Sequence, residues 1–169
     1  MKTPSYDLDR IDRRLLNLVQ ENSRLSTQAL ADRLQLSPPT CLHRLRDLHD
    51  NKIICGDVAL VDPFQLGYGL TAFLDVSLEN QSEARMAEFE VRVKRRPEVL
   101  QCFVVSGEAD FFMIVHVADM EGYYTFVREA ISGAGNVRNF KSRFPMKRVK
   151  YNTRIVFDEK ADRISVRCA

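Results

Sequence analysis

The sequence predicts an α+β chain in which a small three-helix unit precedes a larger unit of alternating strands and helices. Three observations carry that expectation. Within the first 60 residues, apolar side chains recur at helical spacing behind three cap residues, Asp9, Ser26 and Ser37. Pro63, Gly67 and Gly69 then punctuate "DPFQLGYG", a composition that interrupts regular structure. From Leu70 the apolar pattern switches between strand and helix periods in the order βαββαβ.

The first helix starts behind Asp9, carries Ile11, Leu15, Leu18 and Val19 on one stripe, and ends near Asn22. Asp12 sits in its first turn, where the helix dipole favours an acid. Ser26 caps a second, shorter helix with Ala29, Leu30 and Leu34 on one side, and only Gln35 and Leu36 separate it from Ser37. In "LSPPTCLHRLRDL", residues 36–48, Pro38 takes the first helical position, where its missing N–H is no loss and its fixed φ suits the helix. Pro39 still falls within the first turn. Around this third helix Cys41, Leu42, Leu45 and Leu48 gather inward, Thr40, His43 and Asp47 project outward, and Arg44 and Arg46 flank them. "IICGDVALVD", after Asn51-Lys52, is rich in β-formers and reads as a short wing hairpin or strand.

In the second unit TAFLDVSL reads as a strand, SEARMAEFEVRVKRR as a helix and VLQCFVVS as a second strand. GEAD turns into the strand FFMIVHV, MEGYYTFVREAIS is the second helix, and NVRNFKSRF the fourth strand. Two β-α-β halves of this kind make a ferredoxin-like domain, an antiparallel sheet with both helices on one face. Its other face, bearing Phe and Val, is expected to pair with a second copy. KYNTRIVF reads as a further strand ahead of a mixed tail to Ala169.

The net charge of +2 matters less than its distribution. Residues 1–60 hold nine Lys/Arg against eight Asp/Glu, so they generate no general basic field. Residues 137–157 carry Arg138, Lys141, Arg143, Lys147, Arg148, Lys150 and Arg154 without one acid. Two readings of this stripe stay open, a solvated or interface-lining strand face and a phosphate-contacting surface. Cys41, Cys55, Cys102 and Cys168 form neither a CxxC pair nor a dense framework and read as reduced thiols. The opening MKTPSYDLDR has no apolar core of a signal segment, and no stretch approaches the roughly 18 apolar residues of a membrane span, so a soluble cytoplasmic protein is expected.

Enzyme classes find little support. No GxxxxGK[ST], GxGxxG or GxSxG motif occurs, and His43, His49 and His116 make no metal spacing, so neither cofactor nor metal is expected. Cys102, His116 and Asp110 are the residue types of a nucleophile, base and orienter. Cys102 and His116, however, lie inside apolar strands, the ordinary place for a buried thiol and a core-edge imidazole, and no catalysis is expected.

Three blocks stand in a telling order: "LDRIDRRLLNLVQENSRLS" at 8–26, "LSPPTCLHRLRDL" at 36–48 and "VSGEADFFMIVHVADM" at 105–120. Through them the chain resembles, over nearly its whole length, the leucine-responsive and asparagine-regulator (Lrp/AsnC) family of bacterial transcription factors. The resemblance implies a winged helix-turn-helix domain over 1–60, with the helix-turn-helix at about 27–46, and a linker at 61–70. A ferredoxin-like, RAM-type domain for effector binding and oligomerisation follows over 71–157, with a tail at 158–169. Where many members have a glycine before the Ile-Ile pair, this chain has Asn51-Lys52, and the turn is expected to use asparagine's tolerance of the left-handed region.

The function so implied is sequence-specific transcriptional regulation of amino-acid metabolism. Homodimers, assembling further to tetramers or octamers, would bind double-stranded operator DNA under control of a small effector, expected to be a free amino acid. DNA contacts are implied for Gln28, Ser37, Thr40, His43, Arg44 and Arg46. Ser37 and Thr40 at the helix start suit phosphate, and His43, Arg44 and Arg46 are types that reach base edges or backbone oxygens. Effector contacts are implied for Gly107, Glu108 and Asp110, with Met120, Arg143 and Phe144 apposed. Gly107 permits exposed N–H groups for a carboxylate, while Glu108 or Asp110 could meet an ammonium. The competing reading is a hairpin turn in which Asp110 caps its own backbone. Arg143 stands where leucine-responsive members carry a neutral aromatic, and Pro145 interrupts that strand, so the effector's identity is open. An RNA-binding module using sheet aromatics, or an architectural DNA-binding protein without effector, are the alternatives.

Overall fold

Strand β1 (Ser5–Leu8) leads into three helices that start where the caps place them: α1 (Arg10–Glu21), α2 (Thr27–Leu34) and α3 (Pro38–Asp50). The structure is a computed structural model that describes residues 5–158 and 164–167. Cys168 and most of the tail lie outside the described residues. Asp9 and Asp12 close a reciprocal capping box on α1, each accepting the other's backbone N–H, at 2.8 and 3.2 Å. Ser26 accepts from the Ala29 N–H at 3.2 Å and Ser37 from that of Thr40 at 3.3 Å. Each such cap contributes about 1 kcal/mol to its helix.

Leu8, Leu15, Leu16, Leu30, Ala31, Leu34, Cys41 and Leu48 form the core of this unit. Leu42, expected inward, is 37% exposed. α1 buries polar residues beside its leucines, and Asp12, Arg13 and Asn17 all lie inside. Each is met by a partner, as buried polar groups require; Arg13, for example, donates to the Leu8 carbonyl at 3.0 Å.

Two expected strands are absent. "IICGDVALVD" forms none: the Ile53 and Ile54 N–H groups fold back onto the Leu48 carbonyl, and residues 55–62 run irregularly. Val58, Leu60 and Val61 are exposed there, because β propensity cannot hold a strand without a partner edge. The left-handed residue of the turn is Lys52, at φ 58°, and not Asn51, at φ −81°. KYNTRIVF also forms no strand. The unit's two-stranded sheet is instead made by β1 and β6 (Ile164–Arg167), antiparallel from Ser5↔Arg167 to Leu8↔Ile164. Tyr151–Ala169 accordingly groups with Met1–Ala59, while Leu60–Lys150 forms the second unit.

That second unit follows the expected order closely. Strands β2 (Leu70–Leu78), β3 (Val99–Val104), β4 (Phe111–Val117) and β5 (Val137–Arg143) form one sheet in the order β3-β4-β2-β5, all antiparallel. Helix α4 (Glu83–Lys94) joins β2 to β3, and α5 (Met120–Phe126) continues through a π turn at Val127–Ile131 toward β5. Ala72, Leu74, Val76 and Leu78 of β2 and Phe111, Met113, Val115 and Val117 of β4 pack against Phe89, Val93, Tyr123 and Phe126 of the helices. Strand alternation sends the intervening residues to the opposite face. There Phe73, Phe112 and Phe103 form a row with ring centroids 6.1 and 6.4 Å apart.

Candidate functional site

The outward face of α3 is built by the Ser37 cap and the two prolines, which fix where the helix starts and therefore which side chains face out. Ser37, Thr40, His43 and Arg46 are exposed, as is Gln28 on α2, whose amide donates to Asp32 at 2.8 Å. The Ser37 and Thr40 hydroxyls lie 2.7 Å apart. His43 Nδ1 meets the Asp47 carboxylate at 2.8 Å one turn on, which fixes the ring and leaves Nε2 outward.

Arg44 departs from expectation. Its guanidinium turns back to α1 and meets Asp9 Oδ2 and Asp12 Oδ1, both at 2.7 Å, with the side chain only 25% exposed. Burial alone would lower its pKa, but the two carboxylates outweigh this and hold it above the ordinary arginine value. Burial likewise pushes Asp9 up, and the Asp12 N–H and Arg44 guanidinium together overcome it, leaving Asp9 below its ordinary value. Arg44 therefore fastens the third helix to the first and is not part of its outward edge.

The second unit holds a cleft of about 510 Å³ on the helix-free side of the sheet. Asp75 and Ser77 of β2, Arg138, Asn139, Lys141 and Arg143 of β5, and the loop around Glu108 enclose it. Registry explains the grouping: Asp75 lies opposite Lys141, and Ser77 opposite Asn139, all with one parity. Arg143 Nη2 reaches Asp75 Oδ2 at 2.8 Å, and Lys141 Nζ reaches Glu108 Oε2 at 3.2 Å. Ser77 donates to the Glu108 carbonyl at 3.1 Å. The cleft thus presents two separable ion pairs, with carboxylates able to receive an ammonium and cations able to receive a carboxylate.

Of the six residues expected around an effector, Glu108 and Arg143 line this cleft, and Gly107 shapes its loop at φ 119°, a region that only glycine adopts easily. Asp110 does not offer its carboxylate; Oδ2 accepts the Leu78 N–H at 2.7 Å, across to β2 rather than from its own turn. Phe144 follows Arg143 and so falls to the other side, where its ring meets Tyr123 edge-on at 5.2 Å. Met120, at the start of α5, is exposed and lines no part of the cleft within one copy. Asp75 and Ser77 were missed, although a carboxylate interrupting the apolar run LTAFLDVSL was a visible signal. The basic stripe is not one surface: Lys141 and Arg143 belong to the cleft, whereas Arg154 pairs with Glu21 in the other unit at 2.7 Å.

The residue types that suggested catalysis are not assembled. Cys102 is exposed rather than buried, and Asp110, in the loop just before β4, is separated from His116 near that strand's far end by six residues of chain, roughly 20 Å. His116 instead bonds Thr71 Oγ1 at 3.1 Å, and burial, aided by Arg148, lowers its pKa. Among the described residues no group of three or more metal-ligating side chains forms, and no helix is long and apolar enough to cross a membrane.

Comparison with known proteins gives two domain matches, to the Lrp/AsnC ligand binding domain over residues 71–155 and to a winged helix-turn-helix DNA-binding domain over residues 8–54. The DNA-binding transcriptional activator DecR of Escherichia coli K12 is 40% identical over 146 residues, 86% of this chain and 96% of that protein. The leucine-responsive regulatory protein of the same strain is 34% identical over 155 residues, 92% and 94% of the two chains. Among solved structures, a transcriptional regulator from Neisseria meningitidis in complex with L-Met is similar with a TM-score of 0.83 and 33% identity, covering 90% of this chain and 97% of that one.

Proposed function

Because the chain belongs to the Lrp/AsnC family of transcriptional regulators, we propose that it is a sequence-specific regulator of amino-acid metabolism whose grip on DNA responds to a free amino acid bound in the cleft between β2, β5 and the Glu108 loop. The observation that carries the effector half is the pairing of Asp75 with Arg143 and of Glu108 with Lys141 around one small cavity. A zwitterion supplies both charges that such pairs exchange, and its side chain meets Val105 and Phe112. The DNA half rests on α3, whose exposed Thr40, His43 and Arg46 are suited to the major groove and its flanking phosphates.

Oligomerisation completes the reading. Nine cations against eight acids in residues 1–60 give one helical unit a weak electrostatic hold on a phosphate backbone. Two or more units on one duplex raise the effective concentration, and the Phe73, Phe103 and Phe112 row is suited to a second copy of the sheet. The protein works in this reading as a cytoplasmic homodimer or larger assembly, without catalytic activity. The test is the thermal midpoint of the full chain with each of the twenty amino acids: a ligand that prefers the native state raises it, and twenty unchanged midpoints would overturn the effector reading.

A further inference from the structure

The segment after β5 does not end with the sheet. It runs on through residues 144–150 and docks along α1 of the DNA-binding unit. Asn17 and Gln20, neighbours on one face of that helix, each bind both backbone groups of one residue. Asn17 Nδ2 donates to the Phe157 carbonyl and Oδ1 accepts the Phe157 N–H, both at 3.1 Å. Gln20 Nε2 donates to the Ile155 carbonyl at 2.9 Å and Oε1 accepts the Ile155 N–H at 2.8 Å. Alternate residues of an extended chain turn their N–H and C=O groups to the same side, so two side-chain amides three residues apart on the helix act as the missing neighbouring strand. Arg154 adds its ion pair with Glu21, and Phe157 packs against the helical core.

With the segment in place Asn17 is 7% exposed, and its amide spends both a donor and an acceptor on Phe157. At its other end α1 holds the recognition helix through Asp9, Asp12 and Arg44. One helix is thus gripped by α3 near its N-terminus and by segment 154–157 near its C-terminus. The same segment is continuous with β5, which supplies Lys141 and Arg143 to the cleft.

We propose that Asn17 and Gln20 are positioning residues that make segment 154–157 a second physical link between the cleft strand β5 and the recognition helix, alongside the irregular stretch at 55–69. Movement of β5 is delivered to α1 and, through Asp9 and Asp12, to Arg44. The link takes its trigger from the effector reading above, but its existence does not depend on which ligand binds.

The experiment is hydrogen exchange on the full chain, free of ligand and DNA. Asp75→Lys puts a cation against Lys141 and Arg143 and displaces the end of β5. In the intact chain this speeds exchange about tenfold in peptides covering 154–157 and α1, and less so in α3. In a chain whose segment is released by Asn17→Ala and Gln20→Ala with Arg154→Ser and Phe157→Ser, which remove every contact named above, Asp75→Lys leaves α1 and α3 unchanged. The proposal is overturned if the effect stops before residue 150, or if it reaches α1 equally in the released chain and so travels by residues 55–69. Should Asp75→Lys cost the sheet its protection at β4, Asp75→Asn, which only removes the ion pair, takes its place under the same criteria. Transmission without any amino-acid-induced thermal shift would retain the link and remove the effector reading; a thermal shift without transmission would do the reverse.

Discussion

Arg44 and His43 are adjacent in sequence and do opposite things. A helical wheel places both toward the outer half of α3, and it cannot report that two carboxylates at the start of α1 lie within reach of one of them. Asp9 was readable as a cap and Asp12 as a dipole partner, yet their joint claim on Arg44 depends on the crossing of two helices. Asp12 is 2% exposed, so Arg44→Gln strands a buried charge and is expected to destabilise the helical unit by about 3 kcal/mol in urea unfolding. Asp9 has a folded pKa below its unfolded value, so its contribution is complete above about pH 4 and is lost as pH falls through the folded value. Acid titration of Arg44→Gln should therefore show unfolding at higher pH than the parent chain. His43→Ala, by contrast, should leave stability within about 0.5 kcal/mol while weakening DNA binding by about 1–3 kcal/mol, measured by anisotropy on duplexes selected by the protein from a random pool. An unchanged affinity would remove His43 from the interface.

At the scale of elements, cap residues and apolar periods fixed three helices and the βαββαβ sheet because both signals are local. The segments at 53–62 and 150–157 carry equally good β-formers and are not strands. Propensity describes a residue's fit to a pleated surface, and neither segment finds an edge to supply one. The β1–β6 pair was unreadable for the complementary reason: two short segments at opposite ends of the chain make it. Strand parity, in contrast, was available from sequence, and it already separates Arg143 from Phe144. Gly107 tests the loop that parity cannot describe. At φ 119° a Cβ meets no neighbouring atom but forces a backbone conformation that other residues avoid, so Gly107→Ala should cost about 1–3 kcal/mol in thermal or urea unfolding. Asp75→Asn and Lys141→Gln should each abolish the amino-acid-induced rise in melting midpoint while leaving the ligand-free midpoint within a few degrees. A retained rise in both would move the ligand elsewhere.

For the whole molecule, the DNA-binding unit is discontinuous in sequence, and this changes what a dissection experiment means. A fragment of residues 1–62 loses the sheet with its aromatic row, and it also loses the partners of Asn17, Gln20 and β1. It should unfold at lower urea than the same unit in the full chain, and bind duplex far more weakly with a shallower salt dependence. The measurement that bears most directly on the central claim is a DNA titration of the full chain, on those selected duplexes, with and without each amino acid at saturating concentration. An effector acting through the cleft shifts the apparent affinity by about fivefold or more for at least one amino acid, and Asp75→Asn cancels the shift. Superimposable curves for all twenty would contradict it.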